Sequence, residues 1–160
     1  MTSLLRMVIL TGFLSGICIN SSFSHSSNKI SPVGISVQAK KANKVIKVIA
    51  LDTMRFSFSE KPKPHDGEII TFEITNAGKV THEFSISDEE EQKAHQEMMR
   101  AMPNMVHEDG NTITLKPGET KTLTWKFKST PGHEIVFSCN IPGHFEAGMY
   151  QKGKVTASSI

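Results

Sequence analysis

Phe137-Ser138-Cys139-Asn140-Ile141-Pro142-Gly143-His144-Phe145-Glu146-Ala147-Gly148-Met149 is the stretch on which the reading of this chain turns. An apolar run from Glu134 to Phe137 reads as a β-strand with Cys139 at its end. Four residues separate Cys139 from His144, and four more separate His144 from Met149. Pro142-Gly143 supplies a turn that brings the imidazole back toward the thiol. Gly148 lets the backbone bend again before Met149. A second strand, Val80-Thr81-His82-Glu83-Phe84, offers another imidazole, and in a layered sheet fold such a strand meets the end of the Cys139 strand.

Working outward, short alternating runs predict strands at 33–38, 45–51, 53–59, 68–75, 80–87, 112–115, 120–127, 133–139 and 153–158. Turn signals separate them: Pro62-Lys63-Pro64, Asp66-Gly67, Asn76-Ala77-Gly78, Asp109-Gly110, Pro117-Gly118 and Pro131-Gly132. Many short strands at this spacing predict an all-β antiparallel sandwich or barrel. One segment breaks the rhythm. Ser87 or Asp88 can cap a helix, Glu89, Glu90 and Glu91 fill its first turn, and Pro103 stops it near Met102. The chain has 160 residues, 38% hydrophobic and 21% charged, which suits one packed domain.

The N-terminus reads as an address. Arg6 precedes an apolar run from Met7 to Ile19, and the small residues Ser22 and Ser24 suit cleavage after 24. The organisation is then a signal peptide at 1–24, a flexible arm at 25–44 and one domain at 45–160, with a periplasmic destination. The apolar run is short for a membrane span, and no later stretch approaches the ~20 apolar residues that one needs. Ile17 stands where a small residue normally precedes a lipidated Cys, which argues against an anchor on Cys18. Removal of the signal leaves Cys139 as a lone thiol in an oxidising compartment, where burial or a bound metal has to account for it.

One thiolate, two imidazoles and a thioether form a specific set: His82, Cys139, His144 and Met149. A trigonal His-His-Cys site with a weak axial Met is the arrangement of a mononuclear blue (type 1) copper centre. Soft sulfur favours Cu(I), imidazole serves both oxidation states, and ligands on one short loop are held stiffly. Structural zinc prefers Cys and His throughout. On these residues the chain resembles the cupredoxins, the small blue copper proteins that include plastocyanin, azurin and pseudoazurin. The resemblance spans roughly 45–158. It includes Pro142-Gly143-His144 and the stretch from Gly67 through Phe72 to Asn76 that leads to the first His. It implies a Greek-key β-sandwich, with one short inserted helix here, and one copper at one end held by His82, Cys139, His144 and Met149. Family members often carry Asn after the first His, where this chain has Glu83; Asn140 is a candidate to supply part of the missing network. A binuclear copper centre needs a second Cys four residues after the first, and that position is Gly143.

Other features refine the function. His95, Met98, Met99 and Met102 fall at helical spacing on one face, with Met105 and His107 soon after. That face reads either as packing against the sandwich, with Met filling gaps, or as a secondary copper site built from His95, Met98, Met99, Met102 and Met105. No nucleophile–base elbow or phosphate loop is present, so the expectation is a protein that is not an enzyme. Two functions stand: carriage of single electrons through the edge of His144, and copper handling under metal stress. An apolar rim of Ile141, Pro142, Phe145 and Ala147 suits brief docking of a redox partner. A net charge of +2 gives no reason to expect nucleic acid, and a monomer is expected. Charge is uneven: residues 64–110 hold 3 basic and 11 acidic side chains, an edge able to orient a basic partner.

Overall fold

The computed structural model of the protein describes residues 30–42, 44–108 and 110–157. The predicted signal peptide and its cleavage point lie outside them. The pattern of Lys44–Leu51 (β3) shows why sheets form. Ile46, Val48 and Ala50 point inward and are buried, while Val45, Lys47 and Ile49 point outward, as a period of two requires. Among the described residues there are ten strands: Ile30–Ser31 (β1), Gly34–Ser36 (β2), β3, Arg55–Phe58 (β4), Ile69–Asn76 (β5), His82–Ser87 (β6), Thr112–Leu115 (β7), Thr120–Phe127 (β8), Ile135–Ser138 (β9) and Tyr150–Gly153 (β10). One helix, Glu89–Ala101 (α1), stands between β6 and β7.

Two sheets pack face to face. One has the order β1-β2-β8-β5-β3-β4 and the other β10-β9-β6-β7. Pairing is antiparallel except for β3 with β5, which run parallel from Lys44↔Ile70 to Ala50↔Asn76. The chain crosses between the sheets after β5, β7 and β8, the Greek-key habit. Between the layers lie Phe72, Phe84, Phe127, Phe137 and Trp125 among Ile46, Ile70, Ile74 and Ile86, all at 1% exposure or less. Phe72 and Phe84 have ring centroids 5.5 Å apart, and Phe72 and Phe137 5.4 Å, distances at which tilted rings attract beyond simple burial.

β6 is buried along its whole length, because both of its faces are covered. His82, Phe84 and Ile86 face the interior of the sandwich. Glu83, Ser85 and Ser87 face the other way, beneath α1. The layer under the helix is polar: the Ser85 and Ser138 hydroxyls lie 2.8 Å apart, Asn140 Nδ2 donates to Ser85 Oγ, and Gln92 Nε2 donates from the helix to Asn140 Oδ1. The helix begins as expected. Asp88 caps it, accepting from Glu91 N at 2.8 Å while the Glu91 side chain accepts from Asp88 N.

Three expectations need correction. The segment read as a loose arm, 25–44, is built into the sandwich over its described part. β1 and β2 form a hairpin that pairs with β8, Val33 is buried, and Trp125 Nε1 donates to Val33 O. Gly34 (φ 142°) lets the hairpin pass so closely that a Cβ there would lie 2.4 Å from Trp125 Nε1. The strand expected at 53–59 starts at Arg55, because Met54 turns in the left-handed region with φ 56°. The last strand is not 153–158 but Tyr150–Gly153. Tyr150-Gln-Lys-Gly is a polar edge strand with no apolar alternation, started by the bond from Cys139 N to Met149 O at 3.0 Å. Thr156 instead makes an isolated bridge to His65.

Phe72 has three aromatic partners in this core. Phe72→Ala should cost about 3–5 kcal/mol of stability, read by denaturant unfolding of the metal-free protein. A loss below about 1 kcal/mol would mean that the two layers collapse around the gap, contrary to close packing.

Candidate metal centre

Cys139, His144 and Met149 sit on one tight loop at the end of β9. His144 N donates to Ile141 O at 2.9 Å, Ala147 N to Gly143 O at 3.1 Å, Gly148 N to Phe145 O at 2.8 Å and Met149 N to His144 O at 3.0 Å. These bonds wind the chain so that His144 turns back on Cys139. Gly143 (φ 88°) and Gly148 (φ 98°) take up the two reversals, conformations that cost other residues energy. Cys139 Sγ lies 3.3 Å from His144 Nδ1. It accepts a hydrogen bond from Glu83 N at 3.2 Å, which ties the loop to β6.

β6 opens with His82, fully buried, whose ring centroid is 5.1 Å from that of His144. One donor atom each from His82, Cys139 and His144 lies within 4.8 Å of the other two. Met149 is wholly buried and packs with Cys139 and Ala50, beside Met54, Phe56 and Ile141. The structure therefore brings His82, Cys139 and His144 together and packs Met149 against Cys139. His82 Nδ1 is buried without a hydrogen-bond partner, a costly state for an imidazole nitrogen unless something accepts its lone pair. A thiol, two imidazoles and an enclosed thioether are the donor set that suits copper.

Two positioning residues were not visible in the sequence. Asp52, in the β3–β4 turn, places Oδ1 3.1 Å from His82 Nε2 and accepts from Lys79 N at 2.7 Å through Oδ2. With its Nε2 proton on that carboxylate, His82 keeps its lone pair on the buried, unpartnered Nδ1. Arg55 Nη1 donates at 2.7 Å to both Met54 O and Ala147 O and so clamps the ligand loop. The Asp52–His82 and Arg55–Ala147 contacts join segments far apart in the chain, and nothing in the local pattern marks either Asp52 or Arg55.

The helix divides the residues grouped as a secondary copper site. Met99 is buried toward the sandwich and Met102 is exposed, so they do not share one pocket. Met105 and Met99 line the cavity onto which His144 opens. His95, Met98 and Met105 line a second cavity together with His107. His133 and His65 stand outside both cavities, each with a partner: Asp88 Oδ2 at 2.7 Å and the Thr156 hydroxyl at 2.7 Å.

Burial pushes the Cys139 thiol up to about 12, the Glu83 N–H opposing only in part. Burial, then the neighbouring His82, pulls His144 below the ordinary imidazole range. The Lys79 N–H is the main cause holding the Asp52 carboxyl low. The metal-free pocket thus favours uncharged donors, and deprotonating the thiol requires a compensating cation. Below the unfolded thiol's ordinary 9.0 the full stabilising contribution of the neutral Cys139 is present; it is lost as pH rises toward 12. Metal-free protein should therefore lose stability across that window by more than a Cys139→Ser variant does, measured by denaturant unfolding at several pH values. Equal losses would show that Cys139 does not carry the effect.

No protein-family model matches the chain. Among solved structures it is similar to auracyanin B (TM-score 0.59, 17% identity, covering 80% of this chain and 99% of that one). It is also similar to an azurin from Methylomonas sp. strain J (TM-score 0.51, 14% identity, 74% and 100%). At such identities the likeness speaks for the cupredoxin fold. Relatives in sequence are closer. The copper-resistant cuproprotein CopI of Vibrio cholerae is 45% identical over 120 residues, 75% of this chain and 70% of that protein. CopI of Rubrivivax gelatinosus is 36% identical over 129 residues, 81% and 76%. With a cupredoxin sandwich, a His-Cys-His cluster suited to copper and these relatives, the chain belongs to the CopI family of copper-resistant cuproproteins.

Proposed function

We propose that this protein is an exported copper-handling protein that supports copper tolerance, holding one type 1 copper through His82, Cys139, His144 and Met149. The observation that carries the reading is the convergence of three buried or half-buried donors within 4.8 Å, one of them an imidazole nitrogen with no partner. Copper bound there supplies one-electron exchange between Cu(II) and Cu(I). The chain's own residues do the rest. Asp52 orients His82, Arg55 clamps the loop, and the Glu83 N–H holds the sulfur in place. Rigid donors change little between oxidation states, which keeps reorganisation small.

The names of the relatives favour copper resistance over simple electron carriage. Electron exchange stays part of the proposal because His144 is half-buried and opens onto a cavity lined by Val80, Met105, Val106 and Ile141. Such a rim fits brief docking of a redox partner, without nucleic acid and without a need for self-association. Export is supported by the signal-like character of 1–24. Among the described residues no helix is long and apolar enough to cross a membrane. A non-enzymatic role is supported by the donor set itself, since four protein donors would hold the copper without a substrate as ligand.

Purified protein given Cu(II) should develop an intense visible thiolate-to-copper band. Cys139→Ser should abolish it, whereas Met149→Leu should retain copper with a shifted potential. A band that survives Cys139→Ser overturns the ligand assignment. Asp52→Ala should weaken copper binding about 10–100-fold, the usual cost of losing a group that orients a ligand. In cells lacking the protein, Cys139→Ser should fail to restore growth on copper; full rescue by that variant would separate tolerance from this site.

A further inference from the structure

Glu83 occupies two places at once. Its N–H bonds Cys139 Sγ, while its side chain leaves β6 on the face opposite His82 and enters the layer beneath α1. There the carboxylate is wholly buried, at 0% exposure. Oε2 lies 3.2 Å from His95 Nε2, and Oε1 has no hydrogen-bond partner. A carboxylate taken out of water needs paired charge or metal coordination to offset its lost hydration. One imidazole contact leaves half of that need unmet.

A third donor stands beside the pair. His107, also buried, has its ring centroid 4.7 Å from that of His95. It is held in place on β7, since His107 N donates to Thr114 Oγ1 and Thr114 N to His107 O, each at 2.9 Å. One donor atom each from Glu83, His95 and His107 lies within 4.8 Å of the others. His95 and His107 open onto a cavity of about 560 Å³ whose wall includes Met98 and Met105.

We propose that Glu83, His95 and His107 form a second copper site, which takes Cu(II) through two imidazoles and a carboxylate. Cu(II) stands highest in affinity among the divalent first-row metals for such N/O donors. Met98 and Met105, on the wall of the same cavity, provide soft sulfur for Cu(I). The two sites lie on opposite faces of β6 and are joined by Glu83, through its backbone for the first and its side chain for the second. Met105 also lines the cavity of His144, so one thioether borders both openings. The proposal rests on the copper-handling reading for its purpose, but its metal chemistry stands by itself.

The test is titration of the full secreted protein with Cu(II), followed by equilibrium dialysis, visible absorption and electron paramagnetic resonance. The wild type should bind a second equivalent that gives a weakly coloured, ordinary Cu(II) signal beside the intense band. His95→Gln and, separately, His107→Gln should lose that equivalent and keep the intense band. Cys139→Ser should keep it and lose the band, so that failure of the first site and failure of the second are told apart. Uptake of only the intense-band copper by the wild type overturns the proposal. So does a second equivalent that survives both histidine variants, since it is then bound elsewhere. If His107→Gln does not fold, His95→Gln, a substitution on the helix, decides alone.

Discussion

A single hydrogen bond, from Glu83 N to Cys139 Sγ at 3.2 Å, joins everything that makes this protein more than a sandwich. It fixes the sulfur at the end of β9 against the start of β6 and thereby sets the spacing between Cys139 and His82. Because successive residues of a strand point to opposite faces, the same anchoring places His82 in the metal pocket and the Glu83 carboxylate under the helix. The position of one amide thus couples the ligand loop, the strand and the helix.

The pocket is stiff because its constraints come from outside it. The ligand loop is closed by its own backbone hydrogen bonds and clamped by Arg55 from the β3–β4 turn. His82 is oriented by Asp52, which is itself bound by the Lys79 amide. That amide stays in place because Asn76 ties its turn, accepting from Gly78 N at 2.9 Å and donating to Val80 O at 2.8 Å. A Cβ at Gly78 would lie 1.9 Å from Asp52 Oδ1, so the carboxylate reaches His82 only because the turn carries a glycine there. Desolvation pushes the Cys139 thiol up and the His144 imidazole down, toward their neutral forms, which favours metal binding coupled to proton release from the thiol.

The helix is an uncommon cover. Most amphipathic helices bury an apolar stripe, yet α1 buries only Gln92 and Met99 and rests on a bed of serines and Asn140. Hydrogen bonds carry that contact, which makes it directional and leaves room for a buried carboxylate. Asn140 fills part of the network expected of it after Cys139, toward Ser85, Ser138 and Gln92, while Glu83 serves a different cluster.

Short-range pattern was enough for the parts of the protein set by local chemistry. The alternation in β3, the capping run at Asp88–Glu91 and the spacing of Cys139, His144 and Met149 are written in neighbouring residues, and each could be read directly. His82 was legible because its strand and the stretch from Gly67 to Asn76 belong to a recognisable frame. Strand β10 cannot be placed from pattern, because a polar edge strand has no apolar period to read. The arm carries no local sign of its place in the sandwich, because the docking of Val33 against Trp125 depends on a contact across 92 residues of chain. Asp52, Arg55 and the meeting of Glu83, His95 and His107 are of the same kind. Each is made by side chains brought together only when distant segments pack, and the geometry of that packing is a property of the tertiary structure alone.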